Sequence, residues 1–131
     1  LAQALGGTVE KFSGGWSFGP VEYRFREGPA QTIVAVHQDQ VTALPKDATV
    51  IAETDFCAFA GLAYTGKALS FQPHPEFSTQ FITDLTEAYA DRLAPEVLQG
   101  AREVLHRPLD NAIMGAQIQA FYHQAAGDQP Q

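Results

Sequence analysis

The 131-residue chain is 45% hydrophobic, enough apolar material for one ordinary domain with a real core, which excludes disorder of the whole chain. Eight Lys and Arg against fifteen Asp and Glu leave a formal charge of -7, and the basic residues are scattered, which excludes a phosphate-backbone footprint and with it a nucleic-acid partner. No apolar run approaches the ~20 residues needed to cross a bilayer, the N-terminus has no secretory pattern, and the single cysteine, Cys57, excludes an internal disulfide, so a cytoplasmic chain without a membrane partner is expected.

Leu1 to Leu5 reads as a helical run closed by Gly6 and Gly7 as a C-cap. No helix-start signal precedes it, so it is either the tail of a helix begun elsewhere or a short terminal helix. Thr8 to Phe12 suits a short strand, and Ser13 to Pro20 reads as turn. Val21, Tyr23 and Phe25 alternate with Glu22, Arg24 and Arg26, the period of a strand with one wet face. Thr32 to Val36 is a β-branched run expected to be covered on both faces, ending in the polar His37 to Gln40. Further strands are predicted over Thr49 to Glu53, Ala58 to Tyr64 and Ala68 to Phe71, the last two joined by a hairpin turn at Thr65-Gly66-Lys67.

From Ser78 the period becomes helical. Ser78 is the predicted N-cap, Phe77 and Ile82 have the spacing of a hydrophobic staple, and Phe81, Ile82, Leu85, Tyr89 and Leu93 form one stripe. A second helix is predicted to start at Pro95 and to stop before Pro108, and a third to be capped by Asp110, with Ile113, Met114, Ile118, Phe121 and Tyr122 on its face. Gly127 to Gln131 reads as a frayed tail.

Chemistry concentrates in Phe71-Gln72-Pro73-His74-Pro75-Glu76-Phe77. Pro75 biases His74 toward an extended backbone, and in an extended run residues two apart project to one side. His74 and Glu76 are therefore expected side by side, the carboxylate accepting from one imidazole nitrogen: the base and orienter of a nucleophilic triad. On spacing alone the simpler reading is a stiff connector of two prolines with His74 and Glu76 solvated.

That string resembles the Q-x-H-P-E segment near the end of class I glutamine amidotransferase domains. Leu1 to Gly7 is similar to the helix that follows the family's G-x-C-x-G nucleophile turn. Val36-His37-Gln38-Asp39-Gln40-Val41 resembles its His-x-Asp-x-Val segment, and Leu44-Pro45 and Ala52 to Ala60 are familiar from it too. Similarity runs most closely to stand-alone members related to the glutaminase domain of GMP synthase.

The resemblance implies an α/β, doubly wound, flavodoxin-like domain of which residues 1–131 are the C-terminal part, strands first and helices last, with the first strand-helix units and the nucleophile elbow absent. It implies a glutaminase half-reaction: a Cys-His-Glu triad, with His74 and Glu76 catalytic, hydrolyses the side-chain amide of glutamine and passes ammonia to an acceptor, a synthetase or acceptor domain. No cofactor and no metal are implied. In relatives the loop at His37 and Gln38 lies beside the glutaminase site, so His37 either shapes the pocket or merely follows a buried strand. Gly14-Gly15-Trp16-Ser17 aligns loosely with the loop that holds substrate glutamine; an ordinary turn is the alternative.

Cys57 lacks flanking glycines and reads as a small buried thiol. The isolated chain is therefore expected to be inactive, and a nucleophile-less interaction module or a stable proteolytic remnant is the competing reading. Apolar surface left by missing neighbours predicts a homo-oligomer or a retained N-terminal fragment. A metal site of His37, Asp39, His74 and Glu76 is a weaker alternative, and His106 and His123 read as surface residues.

Overall fold

The computed structural model describes residues 1–65 and 68–127. Gly66 and Lys67 of the predicted hairpin turn, and residues 128–131 of the predicted tail, lie outside them. Gln3–Leu5 forms a short 3-10 turn ended by Gly6 at φ 93, the left-handed cap expected of a glycine. Among the described residues seven strands follow, β1(Thr8–Lys11), β2(Ser17–Phe25), β3(Gln31–His37), β4(Asp39–Ala43), β5(Ala48–Glu53), β6(Gly61–Tyr64) and β7(Ala68–Phe71). Three helices close the chain: α1(Thr79–Ala88), α2(Pro95–Val104) and α3(Asn111–Gly127).

Strands first and helices last is the order expected, and the mixed α/β class holds. Among the described residues every strand pairing is antiparallel, in a two-stranded sheet β1-β4 and a five-stranded sheet β3-β2-β5-β6-β7. The parallel pairs of a doubly wound sheet are not among them.

Three stretches depart from the sequence expectation, one of them Ala58 to Ala60, which form a turn so that β6 begins only at Gly61. Ser17 to Pro20, which reads as turn, belongs to β2. Gly19 adopts φ 96, and a Cβ there would meet Ala101 at 3.4 Å, so the glycine serves a left-handed strand residue close to a helix rather than a reversal. Pro20 is tolerated because its partner Val34 turns its carbonyl outward to His74, leaving a non-hydrogen-bonded pair, and β5 pairs with β2 only at Arg24 and Phe25. The third departure is β4. Its polar Asp39 and Gln40 look like loop, yet they pair with Lys11 and Glu10 of β1; partner availability overrides composition.

Around β2 and β3 the molecule has helix on both faces, because successive strand side chains alternate. Phe18 and Val34 pack with Ile82, Leu93 and Ala101 beneath α1 and α2. Tyr23 and Ile33 point the other way, to Cys57, Ala60 and Met114 beneath α3. A third cluster, Ala2, Leu62 and Tyr64, joins the smaller sheet through Val9 and Val41.

The helix starts follow their signals. Ser78 Oγ accepts from the Phe81 N–H at 3.1 Å, and Pro95 occupies the first turn of α2. α1 ends at Ala88, before the predicted stripe does. Ala94, ahead of Pro95, is held at ψ 142, outside the helical region as a residue before proline must be, and Leu93 reaches the core from the intervening turn. Asp110 does not act as a side-chain cap for α3: its Oδ2 accepts from the Thr32 N–H and its own N–H donates to the Thr32 carbonyl, both at 2.8 Å. It fastens the head of α3 to the outer edge of β3.

Candidate active site

His74 follows β7 and is fixed to β3 by its backbone. Its N–H donates to the Val34 carbonyl at 2.7 Å, an isolated antiparallel bridge on the edge of β3 that Asp110 also holds. The Phe77 N–H donates to the His74 carbonyl at 3.2 Å, so residues 74–77 form a hydrogen-bonded turn, not the extended run predicted. Pro75 takes the second position of that turn, where its fixed φ fits. The expected pairing results by this other route.

His74 Nδ1–H donates to Glu76 Oε1 at 2.7 Å; a carboxylate only accepts, so the proton sits on Nδ1 and Nε2 is the nitrogen left for an external partner. The Phe77 ring stacks on the imidazole, centroids 4.4 Å apart and planes within 10°, and itself rests on Phe81.

Partial burial pushes the Glu76 carboxyl up, but the hydrogen bond from His74, a backbone N–H and the His74 charge outweigh it and hold the group below its ordinary 4.5. A depressed carboxylate contributes stability that is complete above its unfolded value and is lost as pH falls through the folded one. The Glu76 side chain is 60% exposed, so solvent screens the pair and the contribution is small. Glu76→Gln is therefore expected to flatten slightly the acid limb of stability between about pH 5 and about pH 3, read as urea midpoints; an unchanged acid limb would show that the pair contributes nothing to folding.

The sequence candidates for substrate contact gather at one end of β2 and β3. Ser17 is the register partner of His37, the Gln38 carbonyl accepts from the Phe12 N–H at 2.8 Å, and the Gly15 N–H closes a turn onto Phe12 at 3.1 Å. Gly15 sits at φ 93, the left-handed region, and Trp16 is half-exposed with its ring against Phe18. His37 Nδ1–H donates to the Asp39 carbonyl at 3.2 Å, which leaves Nε2 an acceptor; that atom is buried without a partner. Burial lowers the His37 pKa from its ordinary 6.5, the Asp39 carbonyl opposes the shift, and nearby His74 adds to it. The two histidines thus share one electrostatic environment, in which each disfavours a second charge.

Other candidates separate from this group. His106 and His123 are exposed. Among the described residues no three His, Cys, Asp or Glu side chains converge as metal ligands, so His37, Asp39, His74 and Glu76 do not form the alternative metal site. A groove of about 470 Å³ between the larger sheet and Gln117 includes none of the candidate residues; one of about 420 Å³ is walled by Trp16, Ser17, Phe56 and Val97.

Cys57 is 2% exposed, and burial pushes its thiol up from 9.0 to about 11. So weak an acid holds a thiolate population at neutral pH lower on the order of 100-fold than an ordinary cysteine does. Alkylation by iodoacetamide is expected to be slower by at least that factor in the folded chain than in urea; comparable rates would identify a reactive thiol.

Sequence reasoning missed Asp110 and Asn111 at the head of α3. Asn111 Nδ2–H donates to the Phe77 carbonyl at 2.8 Å. The Asp-Asn pair was visible, but only as a cap signal.

No family model matches the chain. A glutamine amidotransferase-like protein of Schizosaccharomyces pombe is 25% identical over 92% of this chain and 52% of its own length. The glutamine-hydrolyzing GMP synthase of a Marinomonas species is 30% identical over 98% of this chain and 31% of its own. The crystal structure of a glutamine amidotransferase from Thermotoga maritima superposes with a TM-score of 0.65 at 20% identity, covering 95% of this chain and 56% of that one. The chain spans about half, or less, of the curated relatives it matches.

Proposed function

We propose that this chain, which belongs with the class I glutamine amidotransferases, supplies the histidine and glutamate of a glutaminase site. The observation that carries the reading is the 2.7 Å bond from His74 Nδ1–H to Glu76 Oε1, in a chain whose relatives are amidotransferases. A base fixed in one tautomer, with Nε2 free, is what a thiol nucleophile requires.

In this reading His74 Nε2 takes the proton of a cysteine thiol, and the resulting thiolate attacks the side-chain carbonyl carbon of glutamine. The tetrahedral intermediate collapses with loss of ammonia, which takes its proton from His74 Nε2, and a thioester remains. His74 then draws a proton from water, the resulting attack breaks the carbon–sulfur bond, and glutamate leaves. Glu76 orients the ring and stabilises the imidazolium. In this reading the Gly15 to Ser17 loop offers backbone donors to the substrate, and His37, whose Nε2 is buried, shapes the wall behind it. Cys57 is too buried for the attack, so the thiolate comes from another part of the parent protein.

Ammonia would pass to a synthetase or acceptor domain, by analogy with the GMP synthase relative, in the cytoplasm. Among the described residues no helix is long and apolar enough to cross a membrane. The burial of Cys57 also favours a second reading, in which this chain is a nucleophile-less interaction module. A glutaminase assay separates the two: the chain joined behind a G-x-C-x-G turn and its strand-helix units should release glutamate and ammonia in equal amounts, whereas a correctly folded but inert product would leave the interaction module.

A further inference from the structure

We infer that Asn111, the first residue of α3, is a positioning residue for His74, acting through the carbonyl and ring of Phe77; this rests on the reading of His74 as the catalytic base. Three contacts fix the imidazole: the N–H bond to Val34, the Glu76 carboxylate and the face of Phe77. The first two hold the backbone and one ring nitrogen, and neither stops the ring from rocking about the Nδ1 bond. The stack does, and it lasts only while Phe77 stays at the end of the 74–77 turn.

What keeps Phe77 there comes from α3. The Phe77 carbonyl accepts from Asn111 Nδ2–H at 2.8 Å, a contact between residues 34 apart in sequence. The amide orientation is chemically determined, since a carbonyl needs a donor and the other orientation would set two oxygens together. Asn111 Oδ1 is buried without a partner, so the side chain is committed to this one bond. The anchor behind it is firm. Asp110 makes two backbone-directed bonds to Thr32, two residues along the same β3 edge from Val34, which receives the His74 N–H. The turn and the head of α3 are thus fastened to one strand edge, and Asn111 closes the circuit between them.

The test uses the full chain with labelled histidine and phenylalanine. In the native chain the His74 ring protons should be shifted upfield by the Phe77 ring current and show cross-relaxation with Phe77. Asn111→Ala should reduce both sharply, Asn111→Ser, which retains a donor, should restore part of them, and Phe77→Leu should abolish them. Asn111→Asp, similar in shape but without the donor, serves if the alanine variant fails to fold, and should behave like alanine in the other case. Loss of stability in Asn111→Ala or Asn111→Asp with the His74 shifts and cross-relaxation intact would overturn the inference, because the residue would then be structural only. These readouts do not depend on turnover. A failure of the catalytic reading would appear instead as unaltered glutaminase activity on replacing His74, with the ring-current result standing.

Discussion

His74→Ala, in a protein that joins this chain to the nucleophile turn, is expected to lower kcat/KM for glutamine hydrolysis by at least ~10⁴-fold, because in the proposed mechanism one imidazole both protonates the departing ammonia and activates water. The loss should fall mainly on kcat, since in that mechanism the ring acts on the reacting atoms and not on the remote part of the substrate. Glu76→Gln should cost less, roughly 10²- to 10⁴-fold. Its oxygen sits 2.7 Å from Nδ1 and fixes the tautomer, but the side chain is largely open to water, which can take over part of that bond. Glutamate release measured against a circular-dichroism check of folding gives the answer. A Glu76→Gln variant with full activity would show that Phe77 and the Val34 bridge suffice to orient the ring.

The largest effect on stability is expected from Met114→Ala. α3 has no Asp, Glu, Lys or Arg in its 17 residues, and Met114 is its one fully buried side chain. Met114 packs against Tyr23, Ile33 and Cys57 beneath β2 and β3. Removing it takes away most of the helix's purchase on the sheet and leaves a cavity, a loss of about 2–5 kcal/mol. Urea unfolding should show it as a lower midpoint. Because the head of α3 carries Asp110 and Asn111, the His74 turn should loosen along with the helix. A change below about 1 kcal/mol would mean that the site collapses around the smaller side chain.

Much of the architecture was legible wherever a local signal decided it. Pro95 opened α2, Ser78 capped α1, β7 ran over the predicted residues, and the two-faced burial of β3 followed from its β-branched run. The pairing of His74 with Glu76 was legible too, though through a turn whose hydrogen bond the proline rule did not reveal. What was hidden depended on partners far along the chain. β4 is a strand because β1 is there to pair with it. Ser17 meets His37 through the β2–β3 register, which a misread Gly19-Pro20 concealed. Asp110 bonds a residue 78 positions away, so its role could not be read from the helix it precedes.

Covalent trapping tests the central claim most directly. An electrophilic glutamine analogue, incubated with the protein that carries this chain and the nucleophile turn and followed by intact and peptide mass, should label the turn cysteine stoichiometrically. His74→Ala should slow that labelling by at least ~10²-fold, and glutamine should protect against it. Labelling that is indifferent to His74, or that falls on Cys57, would contradict the assignment of His74 and Glu76 as the acid-base half of a glutaminase site.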